Sequence, residues 1–201
     1  MEKNKVLKAI LGASAAALLF STLPASAQTS SGASAIDANS TQQSGMSGAA
    51  GATASGGALS SADKKAIMDM GMSNMAEVET GKIAVAKAQS PEVKAFAQQM
   101  IDDHTKAQTE VQTLAQAKGV TLPTELDAKH KAMGAKLNKL SGEQFDKEYM
   151  KNAGVADHKT VHAKLVKDGK GAKDPEVKAL AEKMRPVVEQ HLKSAQALTA
   201  K

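Results

Sequence analysis

Cysteine and tryptophan are both absent from the 201 residues. Without cysteine there is no disulfide framework, thiol nucleophile, haem-attachment motif or acylated lipoprotein cysteine. Aromatic residues make up 2% of the chain, and beyond Phe20 only Phe96, Phe145 and Tyr149 remain. The core must therefore be built from Ala, Val, Leu, Ile and Met. Such side chains suit close-packed helices better than sheets, which favour aromatic and β-branched residues. No aromatic box is available to hold a sugar or nucleobase. The glycines form no phosphate-binding loop, and no Ser-His-Asp set carries a recognisable local signature. The formal charge is +5, and residues 1–27, with Lys3, Lys5 and Lys8 against Glu2, hold part of it. The rest is interleaved along the chain, with no basic patch of interspersed aromatics, so the sequence predicts no nucleic-acid partner.

Three regions follow one another. Residues 1–27 have the order of a cleaved secretory signal: a basic start at Met1–Lys8, an apolar run at Ala9–Phe20, then Pro24 and the small triplet Ala25-Ser26-Ala27. The apolar run is too short for a stable membrane-spanning helix. Export to the periplasm, or to the inner face of the outer membrane, is the expectation, with no transmembrane segment in the mature form. Residues 28–61 are nearly all Ser, Gly, Ala, Thr and Gln, with Asp37 as the one charge. Such a stretch buries too little apolar surface to offset its ordering entropy and is expected to be a disordered linker. Residues 62–201 switch to helical spacing.

That last region predicts an all-α fold, an antiparallel four-helix bundle of ferritin-like connectivity. The first helix runs from about Ala62 to Ala88, with Ser61 as its cap. The second has Ser90 as N-cap and Pro91 at its first position, and stops near Lys118 at Gly119. A long crossover follows, with a short helix over Glu125–Leu140. The third helix is predicted to begin at a capping box, Ser141-Gly-Glu-Gln144, and to run to about Asp168, broken by Gly169 and Gly171. The fourth is capped by Asp174, with Pro175 next, and runs to about Thr199. An internal repeat supports this layout. The ten residues after Ser90, PEVKAFAQQM, match the ten after Asp174, PEVKALAEKM, at seven positions. The same helix start is thus used twice, each time as the second arm of a hairpin.

The inward stripes locate candidate chemistry. His104 interrupts the apolar seam Val93, Phe96, Met100, Ala107, Val111 and Leu114. His191 interrupts Val177, Leu180, Met184, Val188, Ala195 and Leu198. The third helix reads Phe145, Glu148, Asn152, Val155, His158, His162 and Leu165, and the first offers Glu77. Buried carboxylate and imidazole groups pair with one another or bind a cation. Glu77, His104, His158 and His191 are therefore the candidate ligands for a transition metal: zinc, iron or copper. Rise per residue puts Glu77 and His104 at similar heights, but His158 and His191 about 9 Å apart. A core network without metal, with Asp103, Asp157 or Tyr149 as partners, is the competing reading. The run Met68, Met70, Met72 and Met75 offers soft thioethers for copper or simply core filling.

The stretches MAEVETGKIAVAKAQSPEVKAFAQQMIDDHTKA, VTLPTEL, EQFDKEYM and RPVVEQHLKSAQAL, with His158, closely resemble the domain-of-unknown-function 4142 family. The likeness covers about Met68 to Leu198. It is most specific at Asp102–His104 and Phe145–Tyr149. The resemblance implies an exported bacterial envelope protein with a ferritin-like fold and supplies no established reaction. True di-iron ferritins carry Glu-x-x-His, whereas Ile101 precedes His104 by three residues and Val188 precedes His191. The leading expectation is therefore a non-catalytic envelope protein with a binding or stress-related role and an envelope protein as partner. The alternative is a metal-binding or metal-dependent redox protein that uses the Glu/His cluster.

Overall fold

Small and aliphatic residues at three-and-four spacing fold here into five helices among the described residues. The computed structural model describes residues 58–200, so the expected signal segment, 1–27, and most of the expected linker, 28–61, lie outside the described residues. Helix α1 is Ser61–Lys87 and α2 is Pro91–Ala117. The short crossover helix α3 is Ala128–Asn138. Gly142–Tyr149, a π-helical segment Met150–Asp157 and His158–Gly171 then follow without a break, and together form α4. Helix α5 is Pro175–Thr199. The result is a helical bundle in which α1 packs along α2 and α4 along α5, with α2 also against α5. Three-residue connections make each pair an antiparallel hairpin. No helix among the described residues is long and apolar enough to cross a membrane.

Most helix ends obey local rules. The Ser90 and Asp174 side chains accept the N–H groups of Val93 and of Glu176 and Val177, each just before a proline at the first helical position. Gly119 takes φ 64°, the left-handed conformation that lets α2 stop. Three expectations are corrected. The cap of α1 is Ser60, not Ser61. Ser141 makes no side-chain cap bond, so the expected capping box does not form; the next residue, Gly142, sits at φ 58°. Gly169 and Gly171 do not break α4 at Asp168. The helix passes through Gly169 and ends at Gly171; Gly169 is a close-approach position, where a Cβ would lie 3.1 Å from the Glu182 side chain.

The core has two apolar clusters separated along every long helix by a buried polar layer. One cluster holds Ala84, Phe96, Met100, Phe145, Tyr149, Ala153 and Ala195. The other holds Ile67, Met70, Val111, Leu165, Val177, Leu180 and Val188. Between them lie Asn74, Glu77, His104, His158 and His191, all at most 4% exposed.

The two hairpins clamp each other reciprocally. Asp146 of α4 accepts the backbone N–H groups of Gln89 and Ser90 in the first hairpin turn, at 3.0 and 2.8 Å. Asp63 of α1 accepts those of Lys173 and Asp174 in the second, at 3.1 and 3.3 Å, and also the Ser60 hydroxyl at 2.8 Å. Asp63 is 2% exposed. Asp63→Ala removes the acceptor of two half-buried N–H donors and should lower stability by about 1–3 kcal/mol in urea unfolding. A loss below about 0.5 kcal/mol, the range of ordinary surface changes, would show that this clamp is dispensable.

Candidate metal centre

Each long helix delivers its polar residue to the same layer for a local reason. His104 and His191 sit at seam positions of α2 and α5, each about one turn from Met100 and Val188 in their apolar stripes. The π-helical segment positions His158. An extra residue in one turn rotates everything after it by about 100° relative to an unbroken α-helix. The buried face of α4 is accordingly Phe145, Tyr149, Met150, Ala153, Gly154, Asp157, His158 and Leu165. The simple three-and-four stripe through Glu148, Asn152 and His162 is therefore corrected. Glu148 pairs with Lys136 at the surface, and Asn152 donates to the Glu148 carbonyl oxygen.

The three imidazoles form a nearly equilateral triangle. Ring centroids are 5.3 Å apart for His104–His191, 5.5 Å for His158–His191 and 5.6 Å for His104–His158. One ring nitrogen from each of the three can be chosen so that all lie within 4.8 Å of one another. The 9 Å offset expected between His158 and His191 does not arise. Ending α4 at Gly171 rather than Asp168 removes three residues, roughly 4.5 Å, of that offset, and the stagger of α4 against α5 takes up the remainder.

Hydrogen bonds fix the tautomers. His104 Nδ1 donates to the Asn74 side-chain oxygen at 2.9 Å. His158 Nδ1 donates to the Ala153 carbonyl at 2.8 Å, and His191 Nε2 donates to the Asp103 carboxylate at 2.9 Å. The partners only accept, so each ring proton is assigned to the bonded nitrogen. The opposite nitrogens are His104 Nε2, His158 Nε2 and His191 Nδ1. All are buried and have no hydrogen-bond partner. Burial disfavours the charged form of every ring: His104 is held well below its ordinary range, with the other two histidines adding to the effect. His158 is pushed down to about 4, chiefly by burial. His191 is also lowered by burial, with Asp103 opposing. At neutral pH the trio is therefore three neutral bases with three unshared lone pairs.

Glu77 stands apart from that trio. Its Oε1 is 3.5 Å from His158 Nδ1, the nitrogen already bonded to Ala153. Glu77 thus lies behind the His158 ring. Burial, reinforced by nearby Asp157, raises its carboxyl well above the ordinary value. The Tyr149 hydroxyl is buried without a partner. The four residues singled out from the sequence thus share one layer, but only the histidines bring ligand atoms together. His162 does not join them. The methionine run is split between faces, with Met70 buried and Met68 41% exposed.

Sequence reasoning missed two supports. The Asn74 pairing needs the relative rotation of α1 and α2, and the Ala153 carbonyl becomes a partner through the π-helical segment. The adjacent buried pairs Tyr149-Met150, Ala153-Gly154 and Asp157-His158 are the pattern such a segment leaves, in place of single residues at three-and-four spacing. His130 on α3 was also unforeseen. It accompanies Lys129, which pairs with Asp157, and lies 3.9 Å from Asp157 itself.

A cavity of about 710 Å³ lies between the start of α2, the first half of α4 and the end of α5, against Val93, Met150, Val155 and Leu198, and shares no residue with the histidine trio.

Comparison with known proteins gives a family and a fold. The family described as Domain of unknown function (DUF4142) matches residues 48–198. No curated protein matches the chain. Among solved structures, the crystal structure of a DUF305 fragment from Deinococcus radiodurans is similar, with a TM-score of 0.64 at 13% identity. The match covers 72% of this chain and 99% of that one. At that identity the likeness concerns the helical fold alone.

Proposed function

This chain belongs to the DUF4142 family, a domain of unknown function, and we propose that its bundle binds one transition-metal ion through His104, His158 and His191. One observation carries the reading. Three buried neutral imidazoles each tie one nitrogen to an acceptor and leave the other without a partner, in a triangle tight enough for a shared ligand. A core network that merely filled space would satisfy those nitrogens, since buried polar atoms are almost always paired. Metal-ligating histidines characteristically donate their second N–H to a carboxylate or backbone carbonyl, and this is the pattern at His158 and His191. Metal–nitrogen bonds of about 2.0–2.1 Å require the nitrogens to draw in by roughly 1–1.5 Å, within reach of small ring rotations. Among zinc, iron and copper, three imidazoles without a carboxylate ligand favour zinc or copper.

The wider reading is an exported, ferritin-like bundle with a binding role in the cell envelope. Two hairpins joined by a crossover that carries α3 support the ferritin-like connectivity. Residues 1–27 support export. The test is protein isolated from the periplasm of its native host, with N-terminal sequencing and metal analysis. The expected result is a chain beginning at Gln28 with one zinc or copper per molecule. Substoichiometric metal, unchanged in His104→Ala, would sink the metal assignment, and a chain retaining residues 1–27 would sink the export assignment.

A further inference from the structure

A second cavity, about 140 Å³, opens between α2 and α5 and is lined by His104, His191, Asp103, Ala107, Met184 and Val188. Two members of the trio therefore form the wall of a surface-connected space. Val187 lies at its rim and is 44% exposed.

Resting on the metal reading above, we infer that the ion keeps an exchangeable fourth position facing this cavity, and that a small inorganic anion binds there. Three observations lead to it. The first is ligand number. Three histidines gather, and the nearest further carboxylates, Glu77 and Asp103, contact the ring nitrogens already used in hydrogen bonds. Three protein ligands with an open position is the arrangement of zinc sites that exchange a bound molecule, whereas structural sites are closed by four. The second is charge. A divalent ion among three neutral rings is met by one nearby carboxylate, Asp103 bonded to His191, which leaves net positive charge in a buried layer. Lys106 and Lys183 in the cavity lining outnumber its other carboxylate, Glu110, and together these favour an anionic fourth ligand over a neutral one. The third is size. A space of 140 Å³ holds about four or five waters at roughly 30 Å³ each. Sites for drug-sized organic ligands begin near ~300 Å³. The ligand class is therefore hydroxide or a small anion, not a drug-sized organic molecule.

The test uses the mature protein loaded with cobalt(II), whose visible absorption reports coordination, and sodium azide as the anion. The expected result is one cobalt per chain and a saturable azide-dependent change in the visible bands. Val187→Trp places a bulky side chain over the mouth from an exposed position, so the fold and the cobalt load should survive. It should weaken the azide response tenfold or more. Cobalt bound at one per chain with a spectrum indifferent to azide would overturn the exchangeable position and leave the metal reading intact. An azide response unchanged in Val187→Trp would overturn the cavity as its route. Failure of the wild-type chain to bind cobalt, zinc or copper would remove the metal reading, and this inference with it.

Discussion

Zinc at about a thousand times its dissociation constant is expected to raise the unfolding free energy of the bundle by about 4 kcal/mol. The reason is linkage. An ion that binds the folded triangle and not the unfolded chain stabilises the fold by mass action, and the three ligands come from α2, α4 and α5, which only the fold brings together. For a domain of this size the gain corresponds to a rise in Tm of about 10–20 °C. His158→Ala leaves two ligands and should abolish nearly all of the zinc-dependent rise. The apo form of that variant will itself be weakened by the lost ring, so the informative quantity is the difference with and without zinc within each variant. His130→Ala and His162→Ala serve as controls, since neither residue belongs to the trio. Thermal unfolding by circular dichroism, with EDTA as the metal-free reference, checks it. An equal zinc response in His158→Ala and wild type would mean that the ion binds elsewhere.

The metal-free protein should lose stability steeply as the pH falls from about 6.5 to about 4. His158 is pushed to about 4 in the folded state by burial, against an ordinary value of 6.5. Within that window the unfolded chain binds the proton and the folded chain does not, so acid favours unfolding. The contribution is present above pH 6.5 and lost by the time the pH reaches the folded value. The shift corresponds to about 3 kcal/mol from this residue. His104 and His191 are lowered in the same direction. Glu77 works the other way. Its carboxyl is raised by burial, so its contribution is present below its ordinary value of 4.5 and lost as the pH rises through the folded value. Glu77→Gln should remove that alkaline loss and leave the acid loss in place. Urea unfolding in EDTA between pH 4 and pH 8 measures both limbs. A flat profile from pH 6.5 to 4 would contradict neutral, buried histidines.

That His104 and His191 lie within apolar seams is legible in the sequence, because an α-helix maps three-and-four spacing onto one face regardless of what it packs against. Glu77 is legible for the same reason, as a carboxylate on a helix face that must be buried. His158 is legible as a residue but not in its surroundings. Its partner is the Ala153 carbonyl, and the face it shares is set by a π-helical segment that leaves no simple period. The Asp146 and Asp63 clamps were likewise beyond reach, since each joins groups more than fifty residues apart.

Spacing along the chain was enough to show that this protein is helical, where its second and last helices begin, and that Glu77, His104, His158 and His191 enter its core. Those are consequences of local rules: capping chemistry, proline at the first helical turn, and helical periodicity. That three histidines meet while Glu77 stands behind one of them follows from how the helices pack. The same packing leaves one nitrogen of each ring free and places a cavity against two of the rings. Those facts depend on helix rotation and relative height, and on where a long helix ends. Packing sets these quantities to within a fraction of a turn, whereas spacing along the chain leaves them open by several ångströms.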